Sequence, residues 1–169
     1  MNIIVGNAIS FIGAIFLSAS CVAKTKKRVC ILQLFQCIVI TASQIAFGKG
    51  AGAVAMSFAG VRNLLIMGSR YNFFAMLTLS VLIFIFGVYF NSFGLIGLMP
   101  PLASVMYTVA LYYVRDVRRL KFFLSILLFT WIVYSALIYD IFGVISNIVA
   151  QVLNVTTLSK MKKTDKTDA

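Results

Sequence analysis

Histidine and glutamate are absent from this chain, and its 4 acidic residues, Asp116, Asp140, Asp165 and Asp168, are all aspartate. General acid–base catalysis near neutral pH draws mainly on those side chains and has almost nothing to work with here. No nucleophile has an adjacent base to activate it, and no Gly-rich phosphate loop of the P-loop type occurs. No aspartate lies within an expected membrane span, which argues against a proton relay of carboxylates or imidazoles. The 3 cysteines, Cys21, Cys30 and Cys37, lack CxxC spacing. With no histidine to join them, neither a disulfide framework nor a zinc site is expected. The chain is therefore expected not to be an enzyme and to need no metal or cofactor. Charge as a whole is also scarce, at 11% of residues. Soluble domains carry about 25%, so an ordinary soluble fold is excluded.

What fills the chain is apolar: 62% of its 169 residues, with a mean hydropathy of +1.02. A helix needs about 20 apolar residues to cross a bilayer core, so six or seven crossings use nearly the whole length. The expected fold is all-α and polytopic, with spans at 3–23, 29–48, 51–68, 72–90, 93–113, 120–139 and 141–159. The N-terminus, MNIIVGNAIS, lacks the positive region and cleavage site of a signal peptide, so the first stretch is expected to be a retained span. The weakest breaks are GKG and YD. Without them the joined helices would be about 60 Å long, twice the hydrocarbon thickness, so both must turn.

Lysine and arginine total 15, and they sit between apolar stretches rather than in a nucleic-acid-binding array. Lys24, Lys26, Lys27 and Arg28, then Arg70, then Arg115, Arg118 and Arg119, then Lys160, Lys162, Lys163 and Lys166 fall in alternate loops and the tail. The opposite side holds Lys49 and Asp140. Because cytoplasmic loops carry the basic excess, the N-terminus is expected outside and the C-terminus inside. Only an odd number of spans puts the basic tail opposite the N-terminus, which favours seven.

The first three spans echo the last three at an offset of 91 residues. Lys24, Lys27 and Arg28 fall on Arg115, Arg118 and Arg119; Gly6 falls on Gly97, Gly52 on Gly143, and Asn63 on Asn154. The expected organisation is a three-helix bundle (1–70), a linker helix (71–91), a second bundle (92–160) and a disordered basic tail (161–169). Three helices reverse the chain's direction and the linker restores it, so the halves are expected to be parallel rather than inverted.

Polar side chains inside hydrocarbon are costly, and they face bundle interiors or wet cavities. Asn147, Gln151 and Asn154 form one stripe on the seventh span, and Asn63 matches Asn154 by the offset. Arg62, two turns from the cytoplasmic end of the third span, either snorkels to the interface or serves an anionic site. Gln33, Gln36 and Gln44 read as spread over different faces of the second span, at least one of them joining helices. Trp131, mid-span, is a candidate cavity wall. The substrate-facing candidates are thus Asn63, Asn154, Gln151, Asn147, Trp131 and Arg62, against the alternative that such groups only bind helices together. Pro100 and Pro101 remove two donors within the fifth span, where a kink or break, and with it a hinge, is expected.

The stretches GLMPPLASVMYTVALYYVRDVRRLKFF, ISNIVAQVLNVTTL and AGAVAMSFAGVRNLLI resemble the YgjV-type bacterial inner-membrane protein family. The resemblance covers most of the chain, implies the bacterial plasma membrane, and brings no settled activity. The 3+1+3 layout is similar to the SWEET sugar facilitators and PnuC-type vitamin transporters, where polar and aromatic side chains face a central solute. This chain departs from SWEET proteins in lacking a Pro-Gln dipeptide and in having proline in one half only. The expected function is facilitation of a small polar solute by alternating access, with the bilayer and that solute as partners and homo-oligomer formation left open. The rival is a structural or accessory membrane protein without transport.

Overall fold

A computed structural model describes residues 2–167, with side chains described through Lys160. Its elements are all helical: α1 (Ile3–Val22), α2 (Lys26–Ala46), α3 (Gly50–Met67), α4 (Phe73–Tyr89), α5 (Gly94–Gly97), α6 (Met99–Tyr113), α7 (Val117–Leu137) and α8 (Ile141–Thr167). Six stretches are long and apolar enough to cross a membrane, the fourth being α5 with α6; α4, of 17 residues, is shorter. Large apolar side chains such as Ile4, Phe74, Leu95 and Phe129 stay exposed along these helices. Helices apolar on their outer faces too are those that meet lipid. The expected tail at 161–169 falls on residues whose side chains, and at 168–169 the backbone as well, lie outside the description.

Polar loop residues start the helices. Asn2, Thr25 and Asn72 each accept from the backbone N–H three residues on, and Asp116 accepts from those of Arg118 and Arg119. These side chains satisfy donors that a helix start leaves unpaired. Glycine-type turns end them. Lys49 N donates to Gln44 O and Gly48 N to Ile45 O; Asp140 N donates to Ser135 O and Tyr139 N to Ala136 O. Both are Schellman motifs, with left-handed φ of 69° at Gly48 and 61° at Tyr139. The two weak breaks therefore turn in the same way, one with glycine and one without.

The helices close a ring in the order α1, α2, α3, α6, α7, α8 and back to α1, with α4 outside on α3 and α6. Hydrogen bonds fix their directions. Lys26 Nζ, at the start of α2, donates to the Leu111 carbonyl near the end of α6 at 2.7 Å. Lys121 Nζ, near the start of α7, donates to the Cys21 carbonyl near the end of α1 at 2.6 Å. The C-terminal ends of α1 and α6 thus share the ring's basic end. At the far end, Asn2 N donates to Ala46 O, and Phe142 N donates to Asn7 Oδ1.

Small residues allow close approach. In α3, packed among α2, α4 and α6, Ala51, Gly52, Ala55, Ala59 and Gly60 are all buried. The expected span 93–113 is interrupted at Leu98, and Pro100 and Pro101 occupy the first turn of α6 rather than a helix interior. Their missing N–H groups cost little there. Pro101 abuts α4 at Gly87, where a Cβ would come 2.5 Å from the proline ring.

The paired turns carry a prediction. Gly48→Ala should lower stability by about 1 kcal/mol, because a Cβ is unfavourable in the left-handed region. Tyr139→Gly should leave stability unchanged or raise it, since the Tyr139 side chain is 76% exposed and loses little packing. Melting curves of both variants in detergent check the opposite signs.

Candidate functional site

The ring encloses a cavity between α1, α2 and α3 on one side and α6, α7 and α8 on the other. Its volume is about 50 Å³. That is room for roughly four waters. The wall includes Gln33, Gln36, Gln44, Arg62, Tyr107 and Trp131 among apolar residues such as Met56, Leu124 and Leu128.

Five buried polar atoms of this wall have no hydrogen-bond partner: Gln33 Oε1, Gln44 Oε1, Arg62 Nε, Tyr107 OH and Trp131 Nε1. A lost partner typically costs such a group about 1–3 kcal/mol, so a concentration of them around one space marks room for a polar guest. Arg62 is 3% exposed and does not snorkel. Its NH1 donates to Thr108 Oγ1 at 3.1 Å, its NH2 to Asn63 Oδ1 at 3.5 Å, and its guanidinium lies 5.1 Å from the Tyr107 ring centroid. None of these partners is an anion. Trp131 packs edge-on against Tyr134 at 5.5 Å.

The cavity's two ends are closed differently. Toward the basic end lies a plug of Leu17, Cys21, Leu111, Leu120, Leu124 and Ala150. Beyond it run the two lysine-to-carbonyl bonds of Lys26 and Lys121, each joining one side of the ring to the other. The far end is closed by Asp140, 2% exposed, and by Ser10 and Ser43. Asp140 caps α8, its Oδ1 accepting from Gly143 N at 2.8 Å. Ser10 Oγ lies 3.2 Å from Asp140 Oδ2 and 2.7 Å from Ser43 Oγ, and Ser43 donates to the Gly6 carbonyl at 2.9 Å. The Ser10 hydroxyl donates to Asp140 Oδ2, joining α1 to the start of α8. Burial pushes the Asp140 carboxyl above its ordinary range, opposed by the Gly143 and Ser10 hydrogen bonds.

Of the residues singled out from the sequence, Arg62, Trp131 and Asn147 line the cavity. Asn147 Nδ2 is engaged by the Gly143 carbonyl at 2.7 Å. Asn63, Asn154 and Gln151 are off the wall. Asn154, beyond the plug, donates to the Lys121 carbonyl at 2.8 Å and to Ser125 Oγ at 2.9 Å, joining α8 to α7. Asn63 faces Cys37 of α2. The stripe put Asn147 and Asn154 on one face correctly, but depth separates them.

The three glutamines correct the expectation that they occupy different faces. At 100° per residue, positions 33, 36 and 44 fall within about 80° of arc, and all three reach the wall. Asp140, Tyr107, Ser10 and Lys121 were not anticipated. Asp140 sits in a short turn that reads as solvent-facing, and the ring that encloses it is a tertiary feature.

Residues 4–165 match the family model of the Imp-YgjV bacterial inner membrane proteins, and the chain belongs to that family. It is a multi-pass protein of the bacterial inner membrane. No curated protein and no solved structure matches the chain. The likeness of layout to SWEET and PnuC-type proteins thus gains no support from comparison.

A raised carboxyl pKa means that the fold favours protonated Asp140. Its contribution to stability is complete below the ordinary carboxylate range and is lost as pH climbs through the raised value. Asn at 140 keeps the cap and can donate to Ser10. Melting temperature should therefore fall with rising pH in the wild type and change less in Asp140→Asn; equal slopes would contradict the protonated form.

Proposed function

We propose that this family member is a facilitator that passes a small polar solute between its two three-helix halves by alternating access, without catalysing a reaction. The observation that carries the proposal is the enclosed cavity with five unpartnered polar atoms in its wall. A purely structural bundle gains nothing from leaving such groups unpaired. The closures match the mechanism. Parting α1 from α8 at Asp140 and Ser10 would open the cavity at the far end. Breaking the Lys26 and Lys121 bonds and the plug would open it at the basic end.

We read the halves as a parallel internal repeat of 91 residues. The bounds of α1 and α2 plus 91 give those of the Gly94–Tyr113 stretch and of α7, and Gly50 plus 91 gives Ile141. The Gly48 and Tyr139 turns are also 91 apart. Under this mapping the α1–α8 contact exchanges with α6–α3, as a two-fold relation requires. A parallel repeat needs α4 to bring the chain back across the membrane. Its 17 residues span about 26 Å, close to the hydrocarbon thickness of about 30 Å. Seven crossings with the basic end cytoplasmic, N-terminus outside and C-terminus inside, complete the proposal.

The reading is tested without knowing the solute. In a variant with Cys21, Cys30 and Cys37 replaced by alanine, Ser104→Cys places one thiol in the cavity wall. A membrane-impermeant thiol reagent should reach it from either face of oriented vesicles, and opening should be slow. A structural protein would leave it unreactive from both.

A further inference from the structure

We propose that the cavity binds a small organic monoanion, its carboxylate held by Arg62 of α3 and Tyr107 of α6. The inference rests on the facilitator reading above and names its substrate class. A guanidinium carries a permanent charge, and burying it without an anion is among the costlier arrangements a protein can hold. Arg62 meets only a threonine hydroxyl, an asparagine oxygen and the Tyr107 ring, with no ion pair among the described residues. Two of its nitrogens are engaged by those contacts, and the third, Nε, is buried without a partner in a residue that lines the cavity. Tyr107 OH, with the Gln33 side chain beside it, is a second buried donor in the same wall. Counted from the basic ends of their helices, both lie about 8–9 Å deep, so they meet at one level. A carboxylate oxygen pair answers two donors and a positive charge together.

The charge count selects a monoanion. One guanidinium neutralises one negative charge, and a dianion would leave the second in a wall of leucine, isoleucine and methionine. Asp140, the cavity's one carboxyl group, lies about 18 Å away along the ring axis, at the far end. At that distance it does not compensate Arg62. The remaining wall suits a short carbon skeleton: Ile40, Met56, Leu127 and Leu128 offer apolar surface. Gln33 Oε1 is left to accept from a hydroxyl group or a water. The limited free space restricts the guest to a few carbons.

Full-length protein in lipid nanodiscs, in chloride-free sulfate buffer, is titrated with acetate, propionate and lactate, and in parallel with acetamide, propionamide, lactamide and chloride. Calorimetry and melting temperature are read together. The carboxylates should bind saturably and raise the melting temperature, while the amides and chloride should do neither. Arg62→Gln should weaken carboxylate binding about tenfold or more, with Arg62→Lys retaining part of it. Tyr107→Phe keeps the ring beside the guanidinium and should weaken binding severalfold; it serves where Arg62→Gln does not fold. Amides binding as well as carboxylates, chloride binding equally, no saturable carboxylate effect, or unchanged binding in both variants would overturn the proposal. The two proposals fail separately. Carboxylate binding with an unreactive Ser104→Cys leaves the anion site standing without transport; reactivity from both faces with no carboxylate effect does the reverse.

Discussion

A polar group shut away from water must find a partner, and in this protein that requirement organises nearly everything beyond the helices themselves. Backbone groups are satisfied within helices, at asparagine, threonine and aspartate caps, and in Schellman turns. Half-buried Lys26 and buried Lys121 reach carbonyls of the opposite side, Lys26 to Leu111 and Lys121 to Cys21. Asn154 is consumed by α7. Where the requirement fails, it fails mostly around the central cavity: five of the eight unpartnered buried side-chain atoms among the described residues belong to its wall, the others being Ser80 Oγ, Gln151 Oε1 and Asn154 Oδ1. In a membrane such groups are expensive, and expense concentrated around an enclosed space is the physical basis for assigning it a guest.

The ring makes that space possible. Six helices that contact mainly their ring neighbours leave a hole where a tighter bundle would have a core. Small residues in α3 bring backbones close at the perimeter, and large ones, Leu17, Leu111, Leu120 and Leu124, fill the basic end. The two closures differ in kind. One is a broad apolar plug backed by lysine-to-carbonyl bonds. The other is a thin chain of two hydroxyls and a carboxyl group. Opening the far end costs a few hydrogen bonds that water can replace, whereas opening the basic end exposes apolar surface. On the facilitator reading, that asymmetry favours opening toward the far side.

Much of the architecture was legible because membrane physics leaves few choices. Apolar run length gave the helices, and basic loops gave the end at which α1 and α6 finish. The glutamate-free, histidine-free composition directed attention away from enzyme chemistry. The turn at Tyr139 was legible only from length, since no glycine marks it. The site was half legible. Arg62, Trp131 and Asn147 reached the wall, but matched positions made Asn63 and Asn154 look like a pair of ligands when they join helices. Periodicity reports the face a residue occupies. It does not report whether a plug of leucines lies between that residue and a cavity, and Asp140 and Tyr107 became visible only once the ring had closed.

Trp131 is the chain's single tryptophan and lies in the cavity wall, 5% exposed, with its indole N–H unpartnered. Its fluorescence in reconstituted vesicles therefore reports on the enclosed space directly. The measurement is quenching by acrylamide, a small polar molecule that travels in water, compared with quenching by lipids brominated on their acyl chains. If the cavity admits polar guests, acrylamide quenches Trp131 and the brominated lipids do not. Quenching by the lipids alone, or by neither, would contradict a polar path through the ring.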